Sequence, residues 1–165
     1  MTDDEWRAFA LHGTRTAKVA TVRPDGRPHV APVWFVLDGD DVVFTTGADS
    51  VKGRSLRQDP KVSLCIDDER PPFSFVVIEG TASISDDLDE MLPLATALGG
   101  RYMGTEQAEG FGRRNAVPGE LLVRLRVERV MAFSGVVDWA YRRGAASGPG
   151  RRMPARSPGR PAVSC

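Results

Sequence analysis

Residues 17–46 read AKVATVRPDGRPHVAPVWFVLDGDDVVFTT, and the fold turns on how this stretch divides. Ala17–Val22 alternates in the manner of a strand. Arg23-Pro24-Asp25-Gly26 sets a proline and a glycine where a tight turn wants them, so the chain reverses. Residues 30–37 make the return strand, Gly39-Asp40 breaks it, and 41–46 make a third strand. Connections this short permit only antiparallel pairing, because parallel neighbours need a crossover of a dozen residues or more. The stretch is an antiparallel meander.

Working outward, Thr2-Asp3-Asp4-Glu5 is a capping box, and Trp6, Phe9 and Ala10 follow at helical spacing, predicting a helix over 3–11 that ends at Gly13. Downstream, Gly47 opens a short helix over 50–58, with Asp49 as its N-cap and Pro60 closing it. Residues 61–66 and 73–84 read as two more strands. Ser85-Asp86-Asp87 caps the main helix, whose apolar stripe is Leu88, Met91, Leu92, Ala95 and Leu98. A second short helix covers 104–114, and 120–133 is the last long strand. Strands joined by so little helix predict a mostly β, α+β fold in which an antiparallel barrel closes to remove its edges.

The chain has 165 residues, 41% hydrophobic and 27% charged, enough to bury a core. Its two cysteines, Cys65 and Cys165, lie far apart, and neither they nor His12 and His29 sit at metal-ligand spacing. With no apolar run long enough to span a membrane and an acidic start, the expected location is the cytoplasm. Six of the 22 basic residues lie beyond Asp138 and none of the 22 acidic ones do, so an acidic body carries a basic tail. Residues 1–144 read as one domain and 145–165 as a disordered Arg, Pro and Gly extension with little to bury. That tail reads as solvated rather than as a nucleic-acid arm.

No nucleophile motif is present, and Gly99-Gly100-Arg101-Tyr102-Met103-Gly104 lacks the lysine of a phosphate loop, with Thr105 in its place. If the chain is an enzyme, a bound cofactor must supply the reaction. The candidate holder runs from Val42 to Leu56. Thr45 and Thr46 end a strand, Gly47 allows close backbone approach, Ser50 begins a helix with free amides, and Lys52 and Arg54 add two cations. These residues read equally as an anion cradle or as ordinary strand and solvated surface residues.

The ordered series Ala20-Thr21-Val22, Asp25 through Phe35, Val43-Phe44-Thr45-Thr46, Lys52, Leu56, Asp59 through Leu64 and Glu79-Gly80-Thr81-Ala82 resembles the pyridoxamine 5′-phosphate oxidase-like superfamily. Within it the chain is most similar to the branch using the deazaflavin coenzyme F420. The resemblance spans residues 14–134. It implies a split β-barrel with a few peripheral helices, and a homodimer holding two cofactor sites between subunits. Lys52 matches the phosphate-binding lysine, with Thr45, Thr46, Ser50 and Arg54 around it, while Ala31, Pro32, Val33 and Trp34 fall on the strand lining the ring. Ala31 stands where the FMN oxidases carry a phosphate-binding arginine, which favours F420 over FMN. Haem is a further occupant the barrel could hold. Trp139 falls where related chains cover the partner's cofactor, and His29 is the titratable group nearest the groove. No catalytic side chain is assigned. Trp34 and Phe35 alternate, so only one of them can face the groove.

Overall fold

Thr2 starts the first helix as its neighbours dictate. Its Oγ accepts from Glu5 N, and the Glu5 carboxylate accepts from Thr2 N at 2.7 Å, completing the capping box of α1 (Asp3–Leu11). The computed structural model describes residues 1–137; Trp139 and the 145–165 tail lie outside the described residues.

Seven strands follow: β1 (Ala17–Val22), β2 (Pro28–Val33), β3 (Val36–Asp38), β4 (Asp41–Gly47), β5 (Lys61–Asp68), β6 (Ser74–Ser85) and β7 (Glu120–Phe133). They form one sheet in the order β2-β1-β5-β6-β7-β4-β3, antiparallel at every pairing. Three helices accompany them, α2 (Val51–Gln58), α3 (Leu88–Met103) and α4 (Ala108–Asn115).

The expected return strand over 30–37 is in fact two strands. β2 pairs with β1 and β3 with β4, at opposite edges of the sheet. Only Trp34 and Phe35 join them, a span of at most about 11 Å between flanking Cα atoms. The sheet must therefore curl until its edges approach. No ladder crosses that seam, so the barrel is split rather than closed. The cause lies in the two side chains: Phe35 is fully buried in the core, while Trp34 packs against α3 and α4.

Period-two alternation sorts the strands into two layers. Phe35, Phe44, Leu64, Ile78 and Leu125 fill the inside of the curl, with Trp6 and Ala10 of α1 packed against them. Val43 and Leu122 point the other way and meet Met91 and Leu98 of α3. Each such fully buried side chain contributes roughly 1.5–3 kcal/mol over its exposed state.

Smaller differences follow from capping and phase. Ser50, not Asp49, caps α2, its Oγ accepting from Gly53 N at 3.0 Å. Asp87 caps α3, accepting from Asp89 N at 2.9 Å. Leu92 lies off the buried stripe of α3 and stays exposed, because Met91, Ala95 and Leu98 already fill its inner face. Residues 104–114 divide into a 3-10 turn, Thr105–Gln107, and α4. A register shift at Glu79/Gly80 explains why the charged residues of β7 do not keep one face throughout.

Candidate functional site

The turn from β4 into α2 is tightly built. Ala48 N donates to the Gly119 carbonyl at 2.8 Å, and Ser50 N to the Gly47 carbonyl at 3.1 Å. Thr46 and Ser50 share a hydroxyl–hydroxyl bond of 3.0 Å. A Cβ on Gly53 would sit 2.5 Å from the Gly47 carbonyl oxygen, so glycine alone lets the first turn of α2 seat on the end of β4. Ser50 satisfies Gly53 N, while the amides of Val51 and Lys52, ahead of it in the helix, have no intrahelical partner.

Beside this turn lies a cavity of about 310 Å³, walled by Pro32, Val33 and Trp34 at the seam, Thr45, Thr46 and Lys52 at the turn, and Ala95, Leu98, Phe111 and Asn115 from α3 and α4. Six of the residues expected at a cofactor site thus meet in one place. Thr46 has its hydroxyl engaged by Ser50, leaving the Thr45 hydroxyl and the Lys52 amine as the polar groups at that end.

Trp34 is held flat. Its ring stacks on Tyr102 at 4.8 Å between centroids and 2° between planes, with Phe111 at 5.2 Å. Tyr102 Oη donates to the Arg15 carbonyl at 2.7 Å and accepts from Phe35 N at 3.2 Å. Arg101 beside it donates to the carbonyls of Phe35 and Ala10 at 2.7 and 2.8 Å, tying the seam to α1. The α3–α4 wall is closely packed, since a Cβ on Gly99 would lie 2.5 Å from the Phe111 Cβ. Asn115 Nδ2 donates to the Phe111 carbonyl at 2.8 Å, which leaves its Oδ1 as an acceptor.

Among the described residues Lys52 has no carboxylate within ion-pair distance. Glu120 stands opposite Gly47 in the β4–β7 register. Burial pushes its carboxyl above the usual range, and Lys52 opposes that shift. His29 is held below its ordinary value by burial, then by Arg23 and Lys52, so its imidazole favours the neutral form.

The remaining expected residues fall elsewhere. Arg54 does not reach the cavity; it donates to the Asp49 carbonyl and borders a separate groove with Arg23. Ser50 and Gly47 shape the turn without lining the cavity. Ala31 pairs with Val19 and so shares the face of that core residue. At the end of β5, Asp67 pairs with Lys18 and Asp68 with Arg15 and Arg70. Ala95, Leu98, Phe111 and Asn115 join the site from helices whose apolar spacing signals only packing. No three His, Cys, Asp or Glu side chains cluster for a metal among the described residues.

A lone cation and a hydroxyl at one end, with a flat aromatic wall and apolar floor at the other, fit a phosphorylated ligand with a planar ring. Among the described residues the lining offers no His, Cys, Met or Tyr to ligate a haem iron. An open barrel with such a cavity on its flank belongs to the split-barrel class. Residues 2–133 match the pyridoxamine 5′-phosphate oxidase family, and the chain belongs to it. A conserved hypothetical protein from Mycobacterium tuberculosis superposes with a TM-score of 0.73 at 24% identity, over 96% of this chain and 92% of that one. An F420 reductase gives 0.59 at 23%, over 75% and 94%, and HutZ, the haem storage protein of Vibrio cholerae, 0.63 at 21%, over 78% and 92%. At these identities the likeness is one of fold. No curated protein matches the sequence.

Proposed function

We propose that the protein is a cytoplasmic, homodimeric oxidoreductase that binds reduced coenzyme F420 and reduces a conjugated, electron-poor organic substrate. One observation carries the reading: a single cavity joins Lys52, without a carboxylate partner, to the stacked Trp34 and an apolar floor. When bound, the deazaflavin supplies the hydride. Lys52 and the Thr45 hydroxyl hold the phosphate. Pro32, Val33 and Trp34 align the ring, and Ala95 and Leu98 keep water from that end. Among the described residues Lys52 is the lining's one titratable side chain, which suits a transfer governed by alignment.

The same contacts also suit FMN, the second reading. Against it stands Ala31, which leaves the ring strand without the arginine of the FMN oxidases. The dimer rests on the family resemblance, which implies cofactor sites between two subunits.

Side-by-side titration of the purified protein with F420 and FMN tests the proposal. The expected result is saturable F420 binding, and oxidation of the reduced form against a panel of enones and quinones. Quenching of FMN fluorescence without any F420 binding would overturn it. Light scattering is expected to give twice the chain mass; a monomer would remove the intersubunit site.

A further inference from the structure

Among the described residues, the buried side-chain polar atoms left without a hydrogen-bond partner are Thr21 Oγ1, Arg23 Nε and Ser55 Oγ. Native proteins leave few such atoms unpaired, because each forfeits its bonds to water. These belong to one region, where α2 packs on β1 and the turn that follows it. Ser55 is wholly buried, and with Arg23, Pro24, Asp25, Val51 and Arg54 it lines a groove of about 240 Å³.

The groove also carries an excess of positive charge, because Asp25 acts electrostatically on Arg23 but is hydrogen-bonded to Arg27. Neither Arg23 nor Arg54 has an ion-pair partner among the described residues. Asp25 is the one carboxylate in the lining, and Arg27 engages it through both its backbone amide and its guanidinium. Arg54 commits one N–H to the Asp49 carbonyl. Arg23 Nη2 lies 3.4 Å from His29 Nδ1, an imidazole that favours its neutral form and offsets no charge. The groove is separate from the cavity of Lys52: residues two apart on a helix point about 200° from one another, and the two linings share no residue.

We propose that this groove is a second anion-binding site, in which Arg23, Arg54 and Ser55 receive a phosphate or carboxylate group. Guanidinium groups bind both through charge-assisted bonds, and a buried hydroxyl beside them completes the donor set. The proposal stands whether or not the Lys52 cavity takes a deazaflavin.

The test is a titration of the full chain with inorganic phosphate at low salt, followed by NMR at the Arg23 Nε–H resonance. Saturable movement of that resonance is expected, with a similar midpoint in Lys52→Ala. Arg54→Gln, a substitution at an exposed position that leaves folding intact, is expected to weaken the midpoint roughly tenfold, the worth of one charge-assisted contact. Three results would overturn the site: no saturable movement in the native chain, loss of the movement in Lys52→Ala, or an unchanged midpoint in Arg54→Gln. Repeating the titration on protein saturated with F420 identifies the source of the anion. Phosphate that still binds marks a site for a free anion, whereas F420 that itself moves the Arg23 resonance and excludes phosphate marks an anionic substituent of the cofactor.

Discussion

Lys52 and Arg54 stand two positions apart on α2, and that spacing sends them to different surfaces. The separation was legible in the sequence, since residues i and i+2 of a helix do not share a face. Both cations read as lying in the first turn or so of a helix, and grouping them in one cradle leaves out the helical phase that separates them. Thr45, Thr46 and Lys52 were readable as a site because one turn brings them together, while Phe111 and Asn115 come from far along the chain. Lys52→Ala is expected to weaken binding of a phosphorylated cofactor by roughly 1.5–3 kcal/mol, with the melting temperature nearly unchanged. Calorimetric titration beside thermal unfolding checks both parts. Glu120 acts in the opposite sense, placing negative charge near Lys52. Glu120→Gln is expected to tighten cofactor binding at neutral pH by roughly twofold to fivefold. In the native chain binding should strengthen as pH falls through the raised range of the Glu120 carboxyl, and in the variant that rise should disappear.

At the scale of elements, local signals carried furthest. The capping box of α1 and the turn after β1 depend on neighbouring residues alone, and both form as read. The division of residues 30–37 did not show, because an apolar run gives no mark where its side chains change destination. Trp34 leaves for the helices and Phe35 for the core, and the strand breaks between those demands. The α3–α4 pair then decides where Trp34 rests. Gly99→Ala would force Phe111 outward, and such overpacking costs about 1–3 kcal/mol. Denaturant unfolding is expected to show that loss, together with weaker cofactor binding as the aromatic wall shifts. Tyr102→Phe keeps the ring stack but removes the hydroxyl that joins Arg15 and Phe35. It is expected to cost about 1–2 kcal/mol of stability, seen in the same measurement.

Across the whole molecule, acid stability has an identifiable origin. Arg70 first, and then Arg15, hold the Asp68 carboxyl well below the usual carboxylate range. A carboxyl depressed in the folded state stabilises above its unfolded value, near pH 4, and loses that contribution as pH falls further. Asp68→Asn is therefore expected to be less stable than the native chain at pH 7, with the two converging as the pH drops below about 4. Unfolding curves over that range would show it, and a constant gap would contradict it.

The place of β7 in the sheet has a consequence for synthesis. It lies between β4 and β6, yet among the described residues it is the last strand in the chain. Until residues 120–133 leave the ribosome, β4 and β6 each keep a bare edge, and a nascent chain halted at 119 carries every residue that lines the cavity but lacks the strand that joins the two parts of the sheet. The seven-stranded sheet is therefore complete only when the chain has been made through residue 133.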